Sequence, residues 1–340
     1  MTINEINLKK VILQGYLPLP LSVIPPERPF PLWRSVPEPR RSDEEFLQIL
    51  QTSVEKSVQD IEGKIGVWFS GGIDSSILLY LVSKVLDPKK IVAYTLDFGC
   101  YPDEMERVDL VKDELGLCVV IKRFSLEDHF RLLEKSIINA RQPVDFSTQV
   151  IEAGNMASSD GCETVLSALG LDEIQSGYPK HVVASDEKFP EIERQLLEAC
   201  QSNYVWSNIC QAGIEVRFPF LSPLVISYGR ALPRDQKNKD DETKILLRRS
   251  LSGKLPKDIV EAGKFVGTKR GFTPLITTWW KEGLEDWVMD EIKTLPISSL
   301  SLAIRPFIMN KIFSRGNLWR LIRLASLPTF YHLYNQGKFQ

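Results

Sequence analysis

A cluster of glycine, serine and aspartate residues follows the short apolar run at residues 65–69. It reads Ser70, Gly71, Gly72, Ile73, Asp74, Ser75 and Ser76, and an apolar helix face begins directly after it. Glycines let backbone N–H groups approach an anion, and a helix N-terminus adds donors and a favourable dipole. Serine hydroxyls add further donors, and Asp74 is placed to hold a divalent cation against the same anion. The cluster therefore predicts a phosphate-binding turn between a strand and a helix.

No Gly-Lys-Ser/Thr follows these glycines, so the turn is not a Walker loop. It resembles the pyrophosphate loop, or PP-loop, of enzymes that split ATP between its α and β phosphates. The alternative interpretation is a helix capped by serine and aspartate after a glycine turn.

The composition is that of an ordinary globular protein. The 340 residues are 43% hydrophobic and 25% charged, and the net charge of −2 gives no reason to expect nucleic-acid binding. The five cysteines form no CxxC pair, which disfavours a disulfide framework or zinc site and favours a reducing cytoplasm. The N-terminus reads neither as a signal peptide nor as a membrane span, so we expect a cytoplasmic protein without membrane contact.

Strands alternate with helices over the first half of the chain, which predicts an α/β fold with a parallel twisted sheet. The predicted strands are 64–69, 91–96, 118–123 and 163–167. From about residue 185 the pattern turns helical, with helices expected at 189–202, 241–252, 276–293 and 308–335. The charged segment from Lys237 to Glu242 predicts a solvated connection. Residues 1–41 are rich in proline and predict an extended arm before a domain over 42–340.

Three further motifs follow the loop in order. The first runs from Ser167 to Tyr178 and contains Asp172. The second is the stretch 213–221, which ends in Arg-Phe-Pro-Phe-Leu. The third consists of Thr243-Lys244-x-Leu-Leu-Arg248 followed by Lys269-Arg270-Gly271-Phe272. With the loop, this series resembles the synthetase domain of the asparagine synthetase family over about residues 45–340. The resemblance implies a sheet of the adenine nucleotide alpha hydrolase type, with flanking helices and a helical C-terminal part.

The resemblance also implies a site for ATP and Mg²⁺. Asp74 and Asp172 follow two strand ends that face one crevice, and two carboxylates suffice for Mg²⁺ bound to phosphates. Lys269, or Lys264 as a rival, would reach the phosphates and stabilise the departing pyrophosphate. Trp68, Leu96, Ser167 and Ala168 would frame the adenosine. The full implied nucleotide set is Trp68, Ser70, Gly71, Gly72, Asp74, Ser75, Ser76, Leu96, Ser167, Ala168 and Gly170.

The chain departs from the family pattern on the acceptor side. Leu169 stands where the family has a glutamate associated with amine attack, and leucine can transfer no proton. Glu173 is the nearest acidic replacement in sequence. Ser222 replaces an aspartate. Position 2 is Thr2 and the first cysteine is Cys100, so we expect no glutamine-hydrolysing domain in this chain.

These features predict an ATP-dependent ligase that adenylates a small-molecule or peptide carboxylate, releasing AMP and pyrophosphate, for attack by ammonia or an amine. The nitrogen would arrive free or from a separate amidotransferase subunit. Leu169 favours a specialised biosynthetic amide over asparagine. Three alternatives remain open: an ammonia-dependent asparagine synthetase, a nucleotide-binding pseudoenzyme or regulatory subunit, and a nucleic-acid thiolation enzyme, which the absent CxxC disfavours.

Overall fold

The computed structural model describes residues 42–144, 147–202, 214–263, 273–295 and 321–339. Five parallel strands form one sheet in the order β3-β2-β1-β4-β5. They are β1 (Ile65–Trp68), β2 (Ile91–Asp97), β3 (Cys118–Arg123), β4 (Thr164–Leu166) and β5 (Glu215–Arg217). The predicted parallel sheet is thereby confirmed, and its four predicted strands lie within a few residues of their expected bounds.

Helices connect and cover these strands. In the first half they are α1 (Asp43–Val58), α2 (Ile73–Ser83), α3 (Pro102–Leu115), α4 (Leu126–Ala140), α5 (Thr148–Ser159), α6 (Leu171–Ile174) and α7 (Pro179–Val183). The second half holds α8 (Phe189–Ser202), α9 (Pro223–Ala231), α10 (Arg234–Lys237), α11 (Ile245–Leu251), α12 (Lys257–Val260), α13 (Thr273–Trp279), α14 (Glu285–Lys293) and α15 (Leu327–Asn335). None of these described helices combines the length and apolar character needed to cross a membrane.

The sheet has a topological switch point beside β1. From β1 the chain adds β2 and β3 on one side, and later adds β4 and β5 on the other. The loops after β1 and β4 therefore leave neighbouring strands at the same carboxyl edge. In open α/β sheets such a switch point forms the ligand crevice.

Three apolar clusters support this arrangement. The largest packs α1 and α2 against one face of the sheet, with Phe46, Ile77 and Leu78 fully buried. A second cluster unites α4 with the C-terminal helices around Trp279. The third covers the other sheet face around Tyr94 and Met156.

Several predictions for the second half were wrong. Strand β5 was not predicted, because two of its three residues, Glu215 and Arg217, are charged. It nevertheless pairs with β4 in parallel. The predicted helix 241–252 begins only at Ile245. Before it, β6 (Asn238–Lys239) and β7 (Glu242–Thr243) form an antiparallel hairpin.

The segment beginning at Lys237 is not simply a solvated connection. The Lys237 side chain is 1% exposed, and its Nζ lies 2.7 Å from Glu193 Oε1 on α8. A buried carboxylate partner therefore compensates a charge that the sequence pattern assigns to solvent. The arm over 1–41 and residues 308–320 of the last predicted helix lie outside the described residues.

Candidate active site

The serine and glycine loop sits between β1 and α2 as predicted. Gly72 precedes the first helical residue, and the Ser75 hydroxyl accepts a hydrogen bond from the Ser70 backbone N–H at 3.1 Å. Gly71 has φ +71, and a Cβ atom there would lie 2.6 Å from the Glu104 carbonyl oxygen of α3. The Gly71 carbonyl in turn accepts from Arg107 Nε at 3.1 Å. Helix α3 thus fixes the loop at a position where only glycine fits.

Lys244 joins the two predicted metal ligands. Its Nζ lies 2.5 Å from Asp74 Oδ2 and 2.8 Å from Asp172 Oδ1. The lysine side chain is 3% exposed, whereas the two aspartates are 22% and 24% exposed. Burial opposes its charge, but the Asp172 and Asp74 carboxylates outweigh this and raise the pKa of Lys244. The structure therefore brings the two aspartates together around one ammonium group.

The backbone around Lys244 is held from several directions. Lys244 adopts a left-handed conformation, φ 58 and ψ 38, directly before α11. Such a conformation is unfavourable for a lysine and persists only where its surroundings impose it. Arg248 supplies that constraint: its backbone N–H donates to the Lys244 carbonyl at 2.9 Å and its Nε donates to the Thr243 carbonyl at 2.8 Å.

Arg248 is itself 4% exposed and anchored to backbone. Its Nη1 donates to the carbonyls of Val260 and Ala262, and its Nη2 donates to that of Gly263 at 3.0 Å. Burial lowers its pKa, although Asp74 and other carboxylates oppose this shift. The guanidinium thus ties the start of α11 to the chain that leads into residues 264–272.

The residues expected around adenosine come from three neighbouring strands. Trp68 ends β1, Leu96 lies in β2, and Ser167 and Ala168 follow β4. Trp68 and Leu96 both pack against the third apolar cluster. The Trp68 Nε1 atom is buried and has no hydrogen-bond partner among the described residues. Buried indole N–H groups usually have an acceptor, so a polar ligand bound next to the end of β1 could accept from this atom.

Glu173 lies in a buried environment beside the aspartate pair. Its Oε1 accepts from the Tyr178 hydroxyl at 2.8 Å, and the side chain is 5% exposed. Burial, and then the charge of Asp172, raises the pKa of Glu173. The Cys200 thiol also interacts with this carboxyl. Its use as a base stays a prediction, and the raised pKa is the kind of shift that a general base needs near neutral pH.

The turn that follows α6 carries further buried polar groups. Gln175 and Ser176 are fully buried, and their side-chain polar atoms have no hydrogen-bond partner among the described residues. Gly177 lies against Asp172, one of the two predicted metal ligands, because a Cβ there would come within 1.8 Å of Asp172 Oδ1. On the other side of α6, Leu169 and Gly170 precede the helix, and Leu169 is partly buried against the main core.

Two residues from the third motif were missed as site residues. Lys244 and Arg248 belong to that motif but no role was predicted for them, since a lysine and an arginine near a helix start usually face solvent. The signal that could have identified them as site residues is their position in the Thr243–Arg248 motif. The two lysines that were chosen, Lys264 and Lys269, lie outside the described residues.

Ser222, which departs from the family pattern, and Arg217, which matches it, both have structural roles here. The Ser222 hydroxyl caps α9 by accepting from the Val225 N–H at 3.4 Å, and it lies 2.8 Å from Ser53 Oγ on α1. Arg217 pairs with Asp60 and Glu215, which ties β5 to the chain after α1. Arg217 therefore supports the edge of the sheet, and Ser222 joins the start of α9 to α1.

The donor set fits a nucleotide with a divalent cation. Two aspartate carboxylates face one point, and Mg²⁺ is usually held by one or two carboxylates together with substrate phosphates. Among the described residues no group of three His, Cys, Asp or Glu side chains is arranged to hold a metal ion. Asp74 and Asp172 are the residues that would hold it.

The comparisons with known proteins identify sequence relatives of this chain. A sequence model of the family described as asparagine synthase matches residues 45–209 and 207–324. A putative glutamine-hydrolyzing asparagine synthetase of Methanocaldococcus jannaschii is 28% identical over 55% of this chain and 36% of its own length. The human asparagine synthetase is 26% identical over 72% of this chain and 46% of its own. The chain thus spans less than half the length of these relatives.

Among solved structures, an NH3-dependent NAD synthetase of Campylobacter jejuni superposes with a TM-score of 0.37 and 11% identity, over 82% of this chain and 96% of that one. A NMN synthetase of Francisella tularensis also gives 0.37, at 16% identity over 88% and 97%.

Proposed function

Because the chain belongs to the asparagine synthase family, we propose that it is an ATP-dependent ligase that activates a carboxylate as its adenylate and joins it to nitrogen. The observation that carries this proposal is the ammonium of Lys244 between Asp74 and Asp172, at 2.5 and 2.8 Å. These charges meet at the switch point of the sheet and beside the phosphate-type loop. The arrangement supports handling of a polyphosphate with a divalent cation.

In the first step, a carboxylate oxygen of the substrate attacks the α phosphorus of ATP. The bond from that phosphorus to the oxygen bridging to the β phosphate breaks, and pyrophosphate leaves. The N–H and hydroxyl groups of the loop bind the departing phosphates, and Lys244 stabilises their charge. Asp74 and Asp172 would hold Mg²⁺, which supplies charge neutralisation when bound.

In the second step, a nitrogen nucleophile attacks the acyl carbon and AMP leaves. Ammonia or an amine provides the nitrogen, free or from a separate amidotransferase subunit. Leu169 cannot accept the released proton, and we assign that role to Glu173, whose pKa is raised by burial. The polar groups of Gln175 and Ser176 are buried and find no hydrogen-bond partner within the described part of the chain, which supports a polar acceptor group near this turn.

A lysine of the segment 264–272 completes the proposed phosphate contacts. We assign Lys269 this role before Lys264, because Gly271 and Phe272 follow it as in the family pattern. Lys269→Ala should impair adenylation more than Lys264→Ala. The reverse order would move the contact to Lys264.

A pseudoenzyme that binds nucleotide without turnover is the second candidate, and Leu169 is the observation that favours it. Product analysis separates the two. We expect ATP, Mg²⁺, ammonium and a panel of carboxylates that includes aspartate to yield AMP and pyrophosphate in equal amounts. ADP as the main product would refute the proposal, and no turnover with retained ATP binding would favour the pseudoenzyme.

Carboxylate variants give the residue-level test. Asp74→Asn and Asp172→Asn should each lower pyrophosphate release by a factor of about 100 or more. Asp113→Asn, on the exposed face of α3, is the matched control and should leave the rate unchanged. Near-normal turnover in either site variant would show that the metal ligands are misassigned.

A further inference from the structure

We infer that Lys244 is an internal cation that keeps divalent metal away from Asp74 and Asp172 until a nucleotide binds. The inference rests on the proposed function, because it concerns the same two carboxylates. One buried ammonium already contacts both aspartates, at 2.5 and 2.8 Å. The oxygens expected to bind metal are thus engaged by the protein's own charge.

Electrostatics makes the two occupants competitors. An ammonium and a divalent cation on the same pair of carboxylates would place three positive charges beside two negative ones. Arg248 adds positive potential, since Asp74 and Asp172 are among the carboxylates that interact with its charge. The site is largely closed to water at Lys244, which is 3% exposed, so this repulsion is weakly screened. A triphosphate supplies the negative charge that allows both cations to stay.

The structure lets the side chain move while its backbone stays fixed. Arg248 holds the carbonyls of Thr243 and Lys244 through its side chain and its own N–H. From Cβ onward, the lysine side chain is a flexible four-carbon stem. Gly177 flanks that stem with backbone only, because a Cβ at this position would lie 2.7 Å from Lys244 Cε. The ammonium can therefore turn from the carboxylates to a phosphate without rearrangement of α11.

This exchange couples metal binding to nucleotide binding. Without nucleotide, the metal must displace a buried ion pair, and with nucleotide the ammonium has a new partner. We expect the metal to bind at least about tenfold more tightly when nucleotide is present. Thermodynamic linkage requires that metal strengthens nucleotide binding by the same factor.

Mn²⁺ detected by electron paramagnetic resonance tests the inference on the full chain. Free Mn²⁺ is titrated with wild-type protein, alone and with α,β-methylene-ATP, in which a methylene group replaces the oxygen that would be cleaved. The same titration is made for Lys244→Met and Lys244→Gln. Lys237→Met is the matched control, because Lys237 is also buried and paired with a carboxylate, Glu193, outside the site.

Wild-type protein and Lys237→Met should bind Mn²⁺ tightly only with the analogue. The Lys244 variants should bind Mn²⁺ without nucleotide at least about tenfold more tightly than wild type does. The inference is overturned if the wild type binds Mn²⁺ with equal affinity with and without the analogue. It is also overturned if a folded Lys244 variant still requires the analogue to bind Mn²⁺ tightly. The wild-type comparison stands even where a variant does not fold.

Binding of the analogue is measured separately by equilibrium dialysis with Mg²⁺. Absence of this binding would refute the proposed function. If the analogue still binds but does not change the Mn²⁺ affinity, only the inferred competition between Lys244 and the metal would be refuted.

Discussion

Gly177→Ala changes one hydrogen to a methyl group at the most crowded point of the site. The new Cβ would lie 1.8 Å from Asp172 Oδ1 and 2.7 Å from Lys244 Cε. Carbon and oxygen atoms in contact need about 3.5 Å, so the carboxylate must move by more than about 1 Å. Its 2.8 Å ion pair with Lys244 cannot survive that shift unchanged.

Backbone strain does not contribute to this prediction, because Gly177 is not among the glycines with positive φ. Crowding should lower the free energy of unfolding by about 1–3 kcal/mol. A displacement of about 1 Å in a site can cost about 100-fold in function. We therefore expect the affinity for Mg²⁺ and α,β-methylene-ATP to fall by about 10- to 100-fold.

Isothermal titration calorimetry with the analogue and urea unfolding measure the two effects. Gly63→Ala is the control, since a Cβ at Gly63 meets nothing within 4 Å. It should leave nucleotide affinity within about twofold of wild type. Unchanged affinity in Gly177→Ala, in a protein that binds the analogue, would refute the placement of Asp172 in the nucleotide site.

Three further outcomes are expected. Burial lowers the pKa of His129 from its ordinary 6.5 to about 3, so the unfolded chain takes up a proton below pH 6.5 that the folded protein does not. The free energy of unfolding should therefore drop by about 2 kcal/mol from pH 7 to pH 5, and His129→Gln should remove that drop in urea titrations; an equal drop in the variant would assign it to other groups. Glu173→Gln should leave ATP–pyrophosphate exchange largely intact and slow amide formation about 100-fold, whereas equal loss of both would place Glu173 in the ATP site or the fold. Arg248→Lys keeps the charge but cannot reach all the carbonyl partners, so we expect calorimetry to show weaker analogue binding; unchanged binding would mean that α11 holds Lys244 without the guanidinium.

Local signals were sufficient for the first half of the fold. An apolar run followed by glycines and serines fixed the position of β1, the loop and the start of α2 to within a residue or two. Alternation of strands with helices predicted the parallel sheet. Such features depend on residues near one another in the chain.

The errors lie where distant contacts decide the structure. Strand β5 exists because β4 offers an unpaired edge, and its side chains are tied down by Arg217 and Asp60 rather than by apolar alternation. Lys237 is buried because its ammonium pairs with Glu193 on α8. The sequence around Lys237 does not reveal this distant partner.

The sequence by itself determined the phosphate-type loop, the parallel α/β sheet and the two aspartates at its switch point. Those features follow from residue types, spacing and the rule that parallel strands end at one edge. Only the tertiary structure decided that Lys244 stands between Asp74 and Asp172, 170 positions after the first of them. An unpaired lysine favours water. Lys244 is buried because its two carboxylate partners, and the backbone that Arg248 holds in place, compensate the free-energy cost of removing its charge from water.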